Sequence, residues 1–233
     1  QAWRENLKYY NLDMSDTSIE VPLKYKIRNS TLDKDAPAIF LLHGYGTNMN
    51  DLFPLSQFFP ENWMVISLQA PFYNGFGGYA WAELDLSNLR ELPKPEQKPI
   101  SIEKIHNSIS NLSSKFNLDK NQIYILGFSQ GSDFALSTGF KFPNFYKGII
   151  SLCGYFDTKK IEYDLDHDAL KNLNIFLSSA LYDDKVPVHL GRMTNLSLKK
   201  MGLTPTYFEY NTGHTISNEC LTNVLDWLNL IKK

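Results

Sequence analysis

Ser129, Asp183 and His214 have the residue types and the placement that nucleophilic catalysis requires. A serine hydroxyl is a weak nucleophile near neutral pH unless a base takes its proton and a third group orients that base. Ser129 lies in Gly127-Phe128-Ser129-Gln130-Gly131, after the run Ile123-Tyr124-Ile125-Leu126 and before the helix-compatible Ser132-Asp133-Phe134-Ala135-Leu136. Strand, Gly-x-Ser-x-Gly, helix is the context in which this motif lifts its hydroxyl above a sheet edge. Alone, the pentapeptide is common by chance, and a hydroxyl capping a helix start is the plain alternative. His214, in Gly213-His214-Thr215, follows the last strand pattern, and Asp183, in Tyr182-Asp183-Asp184-Lys185-Val186-Pro187, follows the preceding one. Asp183 is preferred to Asp184 because it is closer to its strand, where the backbone is better fixed. Asp184 is left free to cap the helix that begins near Pro187.

Acyl transfer also develops a negative oxygen that needs preorganised N–H donors. The backbone N–H of Gln130 is one candidate. The other comes from the glycine turn His43-Gly44-Tyr45-Gly46, where the Tyr45 N–H is favoured. The remaining histidines, His43, His106, His167 and His189, read as structural or solvated.

These residues must be carried by strands and helices in alternation. Continuous apolar runs at 38–42, 64–68, 123–126, 148–152, 175–178 and 206–210 read as strands, most of them covered on both faces. Ile102, Ile105, Ile109, Leu112 and Phe116 form the stripe of a helix capped by Ser101. Pro187 opens a helix ended by Gly202, and Leu221, Val224, Leu225, Leu228 and Ile231 line a closing one. The expected fold class is α/β: a mostly parallel twisted sheet with helices on both faces and antiparallel N-terminal edge strands within residues 1–35. Residues 1–233 read as one domain without internal repeats. Ligands of such sheets bind beyond the carboxyl ends of the strands, where every candidate residue falls.

Residues 69–101 break the pattern. Phe72, Tyr73, Phe76, Tyr79 and Trp81 are expected to form an apolar acyl groove beside Ser129, weighed against ordinary loop packing.

Composition excludes several classes. A net charge of −2 and a pI near 6.2 give no basic field for nucleic acid or anionic membranes. Cys153 and Cys220 read as core thiols, with neither a disulfide framework nor a zinc site. No stretch reaches the length of a membrane span, and the start lacks a signal pattern. The cytoplasm is therefore the expected compartment, with a removed segment upstream of Gln1 left open.

The ordered set of motifs resembles the phospholipase/carboxylesterase family of α/β hydrolases, which includes acyl-protein thioesterases and small bacterial carboxylesterases. It is carried by Leu41-Leu42-His43-Gly44-Tyr45-Gly46, Asp51-Leu52, Gln69-Ala70-Pro71, Trp81, Gly127 to Gly131, Asp183 to Pro187 and Gly213-His214, in the chain order Ser, Asp, His. The resemblance spans about residues 36–231. It implies the α/β-hydrolase fold, a Ser129–His214–Asp183 triad, oxyanion donors at Tyr45 and Gln130, and hydrolysis of a small-molecule acyl ester or thioester without cofactor or metal. It leaves homodimerisation open. Two departures stand out: Ala180 and Ser132 occupy positions where the family favours glycine. The reading from another class is an idle binding protein on the same fold.

Overall fold

The computed structural model describes residues 20–75, 77–84, 94–158, 161 and 164–232. Residues 1–19 of the stretch expected to hold the N-terminal edge strands and the groove residue Phe76 lie outside the described residues, as do residues 85–93. The described chain runs β1 (Tyr25–Arg28), β2 (Ala38–Leu42), β3 (Met64–Leu68), β4 (Phe72–Tyr73), β5 (Tyr79–Ala80), α1 (Gln97–Lys115), β6 (Ile123–Phe128) and α2 (Gln130–Lys141). It continues through β7 (Gly148–Leu152), α3 (His167–Leu170), β8 (Asn174–Ala180), α4 (Val188–Lys200), β9 (Thr206–Tyr210) and α5 (Asn218–Ile231). A 3-10 turn at Phe53–Phe58 follows the first buried strand.

Seven strands form one sheet in the order β1-β3-β2-β6-β7-β8-β9, parallel throughout except for β1 against β3. Only this one N-terminal edge strand falls within the described residues. β2 is wholly buried because the sheet is covered on both sides. Phe40 and Leu42 pack with Ile66, Ile105, Ile109 and Phe134 on the α1–α2 face. Ile39 and Leu41 pack with Trp63, Leu126, Val224 and Leu228 on the α5 face. Each large aliphatic or aromatic side chain so buried contributes on the order of 1.5–3 kcal/mol before entropy is counted.

One helix boundary differs from the sequence expectation. α1 begins at Gln97, four residues before Ser101, and its N-cap Glu96 makes no side-chain cap bond. Pro99 does not stop it, because first-turn N–H groups have no partner to lose. Ser101 is instead buried inside the helix and donates to the Trp81 carbonyl. The helix thereby grips the connection that descends from β5.

The junction of β6 and α2 is a backbone-to-backbone contact. Ser129 sits there with φ 53° and ψ −119°. A Cβ on Gly127 would fall 2.0 Å from the Gly131 carbonyl oxygen, and one on Gly131 would fall 2.1 Å from the Leu42 oxygen. Strand, helix and the end of β2 can approach this closely only because both positions lack a side chain. Gly131→Ala is therefore expected to lower stability by roughly 1–3 kcal/mol through overpacking, measured by chemical denaturation. An unchanged denaturation midpoint would show that α2 has room to shift away from β2.

Candidate active site

Ser129, Asp183 and His214 meet above the carboxyl ends of β6, β8 and β9. The His214 Nε2 lies 2.9 Å from Ser129 Oγ, and its Nδ1 lies 2.7 Å from Asp183 Oδ2. The carboxylate can only accept, so Nδ1 carries the proton and Nε2 is left to accept from the serine hydroxyl. Asp183 Oδ1 accepts from the backbone N–H groups of Lys185, at 2.9 Å, and Val186, at 2.8 Å. These bonds fix the carboxylate before it meets the imidazole. Its side chain is fully buried, whereas the Asp184 side chain is 71% exposed and pairs with Lys185. The neighbouring acid is thus separated from the histidine, and it does not cap α4, whose N-cap is Pro187 without a side-chain cap bond.

The histidine loop is held from beneath. Cys153 adopts φ 49° at the end of β7, and its thiol donates to the Thr215 carbonyl at 3.5 Å. Burial pushes that thiol up to about 12, so it remains a protonated donor and not a nucleophile. Cys220 is likewise buried and free.

The turn after β2 presents its backbone toward the serine: a Cβ on Gly44 would lie 3.4 Å from Ser129 Cβ. The N–H groups of Tyr45 and Gln130 make no backbone hydrogen bond among the described residues. The turn is braced by the aromatic segment. The Gly46 N–H donates to the Tyr79 carbonyl, the Tyr79 N–H donates to the Thr47 carbonyl, and the Trp81 indole N–H donates to the His43 carbonyl at 2.8 Å. The Gln130 side chain completes the brace by accepting from the Trp81 N–H and donating to the Ala82 carbonyl. One residue therefore offers its backbone N–H at the site while its side chain anchors the neighbouring loop.

His43 is a buried part of the same brace. Its Nε2 accepts from the Ala70 N–H at 3.1 Å, so its proton is on Nδ1 and faces the Gly44 carbonyl at 2.7 Å. Burial holds its pKa below the ordinary histidine value.

A cavity of about 680 Å³ opens beside Ser129. Tyr45, Gln130 and His214 border it near the serine, and Leu84 and Val186 supply apolar wall. Lys98, Asp133, Tyr155, Asp157, Asp184 and Lys185 add a charged and polar part to its lining. The expected groove aromatics are placed elsewhere. Phe72, Tyr73 and Tyr79 belong to the β4–β5 hairpin, where Tyr73 meets Tyr79 edge-on. Trp81 is wholly buried against His43 and Phe134. None of these four lines the described cavity. The charged wall escaped sequence reading; the one available signal was Asp133, one helical turn after Ser129.

Both departures from the resemblance are accommodated. Ser132 is buried and donates to the Ser129 carbonyl at 2.7 Å, in space left by Gly154, where a Cβ would meet its Oγ at 1.4 Å. Ala180 ends β8 in ladder register with Tyr210 and needs no left-handed backbone. Among the described residues no three His, Cys, Asp or Glu side chains are grouped to hold a metal ion. No helix described is long and apolar enough to cross a membrane.

Sheet order, the strained serine at a strand–helix turn and the acid and histidine after the last two strands define an α/β hydrolase. The phospholipase/carboxylesterase family model matches residues 25–232, and the chain belongs to that family. Esterase PE8 superposes with a TM-score of 0.77 at 27% identity, covering 90% of this chain and 99% of its own. Maize acyl-protein thioesterase 2 gives 0.73 at 22% identity, with coverages of 90% and 99%. A Bacillus cereus carboxylesterase gives 0.74 at 17%, with 90% and 94%. The latter two share the fold.

The buried histidines set a pH expectation for stability. Burial lowers the folded-state pKa of His43 and of His106, which stacks on Phe142 at 3.6 Å. The stabilisation from keeping them neutral is intact above the unfolded value near 6.5 and is lost as pH falls from there through the depressed folded values. The free energy of unfolding should accordingly decline below about pH 6.5, with a shallower decline in His106→Phe. Equal slopes for the two proteins between pH 7 and 5 would contradict this for His106.

Proposed function

We propose that the protein is a serine hydrolase that cleaves small-molecule carboxylic esters or thioesters through an acyl-enzyme on Ser129. The observation that carries this reading is the continuous hydrogen-bond chain from Ser129 Oγ through His214 to the buried Asp183. Family membership and the esterase PE8 likeness support the same chemistry.

Ser129 Oγ attacks the acyl carbonyl carbon as its proton passes to His214 Nε2. Asp183 stabilises the imidazolium and keeps Nδ1 as the donor. The oxyanion that develops is met by the Tyr45 and Gln130 N–H groups, a kind of donor whose removal typically costs about 10²–10³ in rate. His214 then returns the proton to the departing alkoxide or thiolate, leaving the acyl group on Ser129. A water molecule gives its proton to His214 and attacks the acyl carbon, and collapse releases the acid and regenerates the serine hydroxyl. No step requires a cofactor.

Because Ser129 and His214 act as a unit, Ser129→Ala and His214→Ala should each lower turnover of an activated ester by roughly 10⁴ or more, and the double variant should be little worse than either. A fluorophosphonate probe should add one adduct that Ser129→Ala abolishes. Multiplying losses, or labelling that survives the substitution, would remove Ser129 from the role. A folded wild type that neither turns over esters nor takes the probe would be an idle binding protein.

A further inference from the structure

Asp133 brings a carboxylate into the same first turn of α2 that begins with Gln130. The two residues are three apart on the helix, a spacing that makes their Cβ atoms neighbours at about 5–6 Å, and both line the cavity beside Ser129. The carboxylate has the wrong sign for this place. Acyl transfer turns the carbonyl oxygen into an oxyanion, and a fixed anion close to it raises the barrier. Lys98, in the first turn of α1, opposes that charge: its ammonium lies 2.9 Å from both Asp133 oxygens. Only 22% and 16% of the two side chains are exposed, so water and salt screen these charges less than they would on an open surface. The Ser137 hydroxyl, 3.4 Å from Asp133 Oδ1, holds the carboxylate from the next turn.

The other charges around the cavity make this neutralisation matter. Among the described lining residues are three carboxylates, Asp133, Asp157 and Asp184, and two ammonium groups, Lys98 and Lys185. Asp184 and Lys185 pair at 3.1 Å, and the Tyr155 hydroxyl bonds Asp157. Loss of Lys98 would turn an excess of one carboxylate into an excess of two. Tying the helices together is a lesser use for the pair. α1 and α2 are already joined through the core that holds Ile105, Ile109 and Phe134, and Lys141 of α2 pairs with Glu103 of α1 at 2.5 Å.

We propose that Lys98 is a positioning residue for the Ser129 reaction: it holds and neutralises the Asp133 carboxylate, which would otherwise oppose the oxyanion met by the Gln130 N–H. This rests on the ester-hydrolase reading of Ser129. Lys98 acts here through Asp133. At a separation of about 10 Å and an effective dielectric constant of about 20, one unopposed charge changes a rate by on the order of tenfold.

The test is steady-state hydrolysis of p-nitrophenyl acetate by the wild type, Lys98→Met, Asp133→Asn and the double variant, with Ser129→Ala as the blank. At pH 8, Lys98→Met should fall roughly tenfold below both the wild type and Asp133→Asn, chiefly in kcat. The double variant, left with neither charge, should regain most of that loss. The acid limb of kcat/KM against pH, set by His214, gives a second sign. An added negative charge favours the imidazolium and moves the limb to higher pH in Lys98→Met, whereas the unopposed ammonium of Asp133→Asn moves it to lower pH. A pair that only clamps α1 to α2 would instead lower both single variants alike, leave the double variant no better and leave the limb in place. That pattern, or limbs that move in the same direction, overturns the proposal. Should Lys98→Met lack a cooperative melting transition, the limb of Asp133→Asn decides. Ester hydrolysis that survives Ser129→Ala, or none by the wild type, would overturn the hydrolase reading and this inference with it.

Discussion

The site depends on the backbone of Ser129, held at φ 53° where a residue with a Cβ is strained by about 1–3 kcal/mol. That conformation persists because three stretches of main chain press together around it. Gly127 lies against the Gly131 carbonyl, Gly131 lies against Leu42, and the Gly44 turn rests beside the serine. The Ser129 N–H is tied to the Leu152 carbonyl of β7. Ser132 closes the arrangement by bonding the Ser129 carbonyl. The serine is thereby aimed by packing of β2, β6, β7 and α2, before any contact with His214.

A second group of contacts fixes the turn after β2 that rests beside Ser129. The aromatic segment after β3 is spent on bracing the glycine turn: Tyr79 pairs with it, and Trp81 bonds its first carbonyl from within the core. Gln130 links that brace to the start of α2. The backbones of Tyr45 and Gln130 are consequently fixed relative to each other by these side chains. This differs from the groove expected for Phe72, Tyr73, Tyr79 and Trp81, and the reason is physical. Large aromatic side chains serve cores as readily as sites, and their sequence pattern does not distinguish the two.

The sheet strands were legible because doubly covered parallel strands are continuous apolar runs, as at Ala38–Leu42 and Met64–Leu68. Ser129, Asp183 and His214 were legible because their motifs sit directly after such strands. Choosing Asp183 over Asp184 rested on nearness to the strand, and the structure gives that position to the buried carboxylate. The start of α1 was misplaced by four residues, since three prolines in residues 93–99 masked a helix that tolerates one of them in its first turn. The Lys98–Asp133 wall was illegible for another reason. Its partners are 35 residues apart and meet only when α1 packs on α2. The Ser132–Gly154 exchange of volume is of the same kind, since only folding shows which glycine makes room for which side chain.

The pairing of β2 with β6 has a kinetic consequence. Ala38 faces Ile123 across the centre of the sheet, and the chain between them must first place β3, the hairpin and α1. Such non-local parallel pairing gives a high contact order and slow folding. The Ser129 turn needs this pairing because Gly131 rests on the end of β2, and His214 reaches the site only from beyond β9. Helices and local turns alone would leave Ser129 in a relaxed backbone, apart from His214. Ser129 thus acquires its strained backbone and its contact with His214 together, only once the sheet has closed around it.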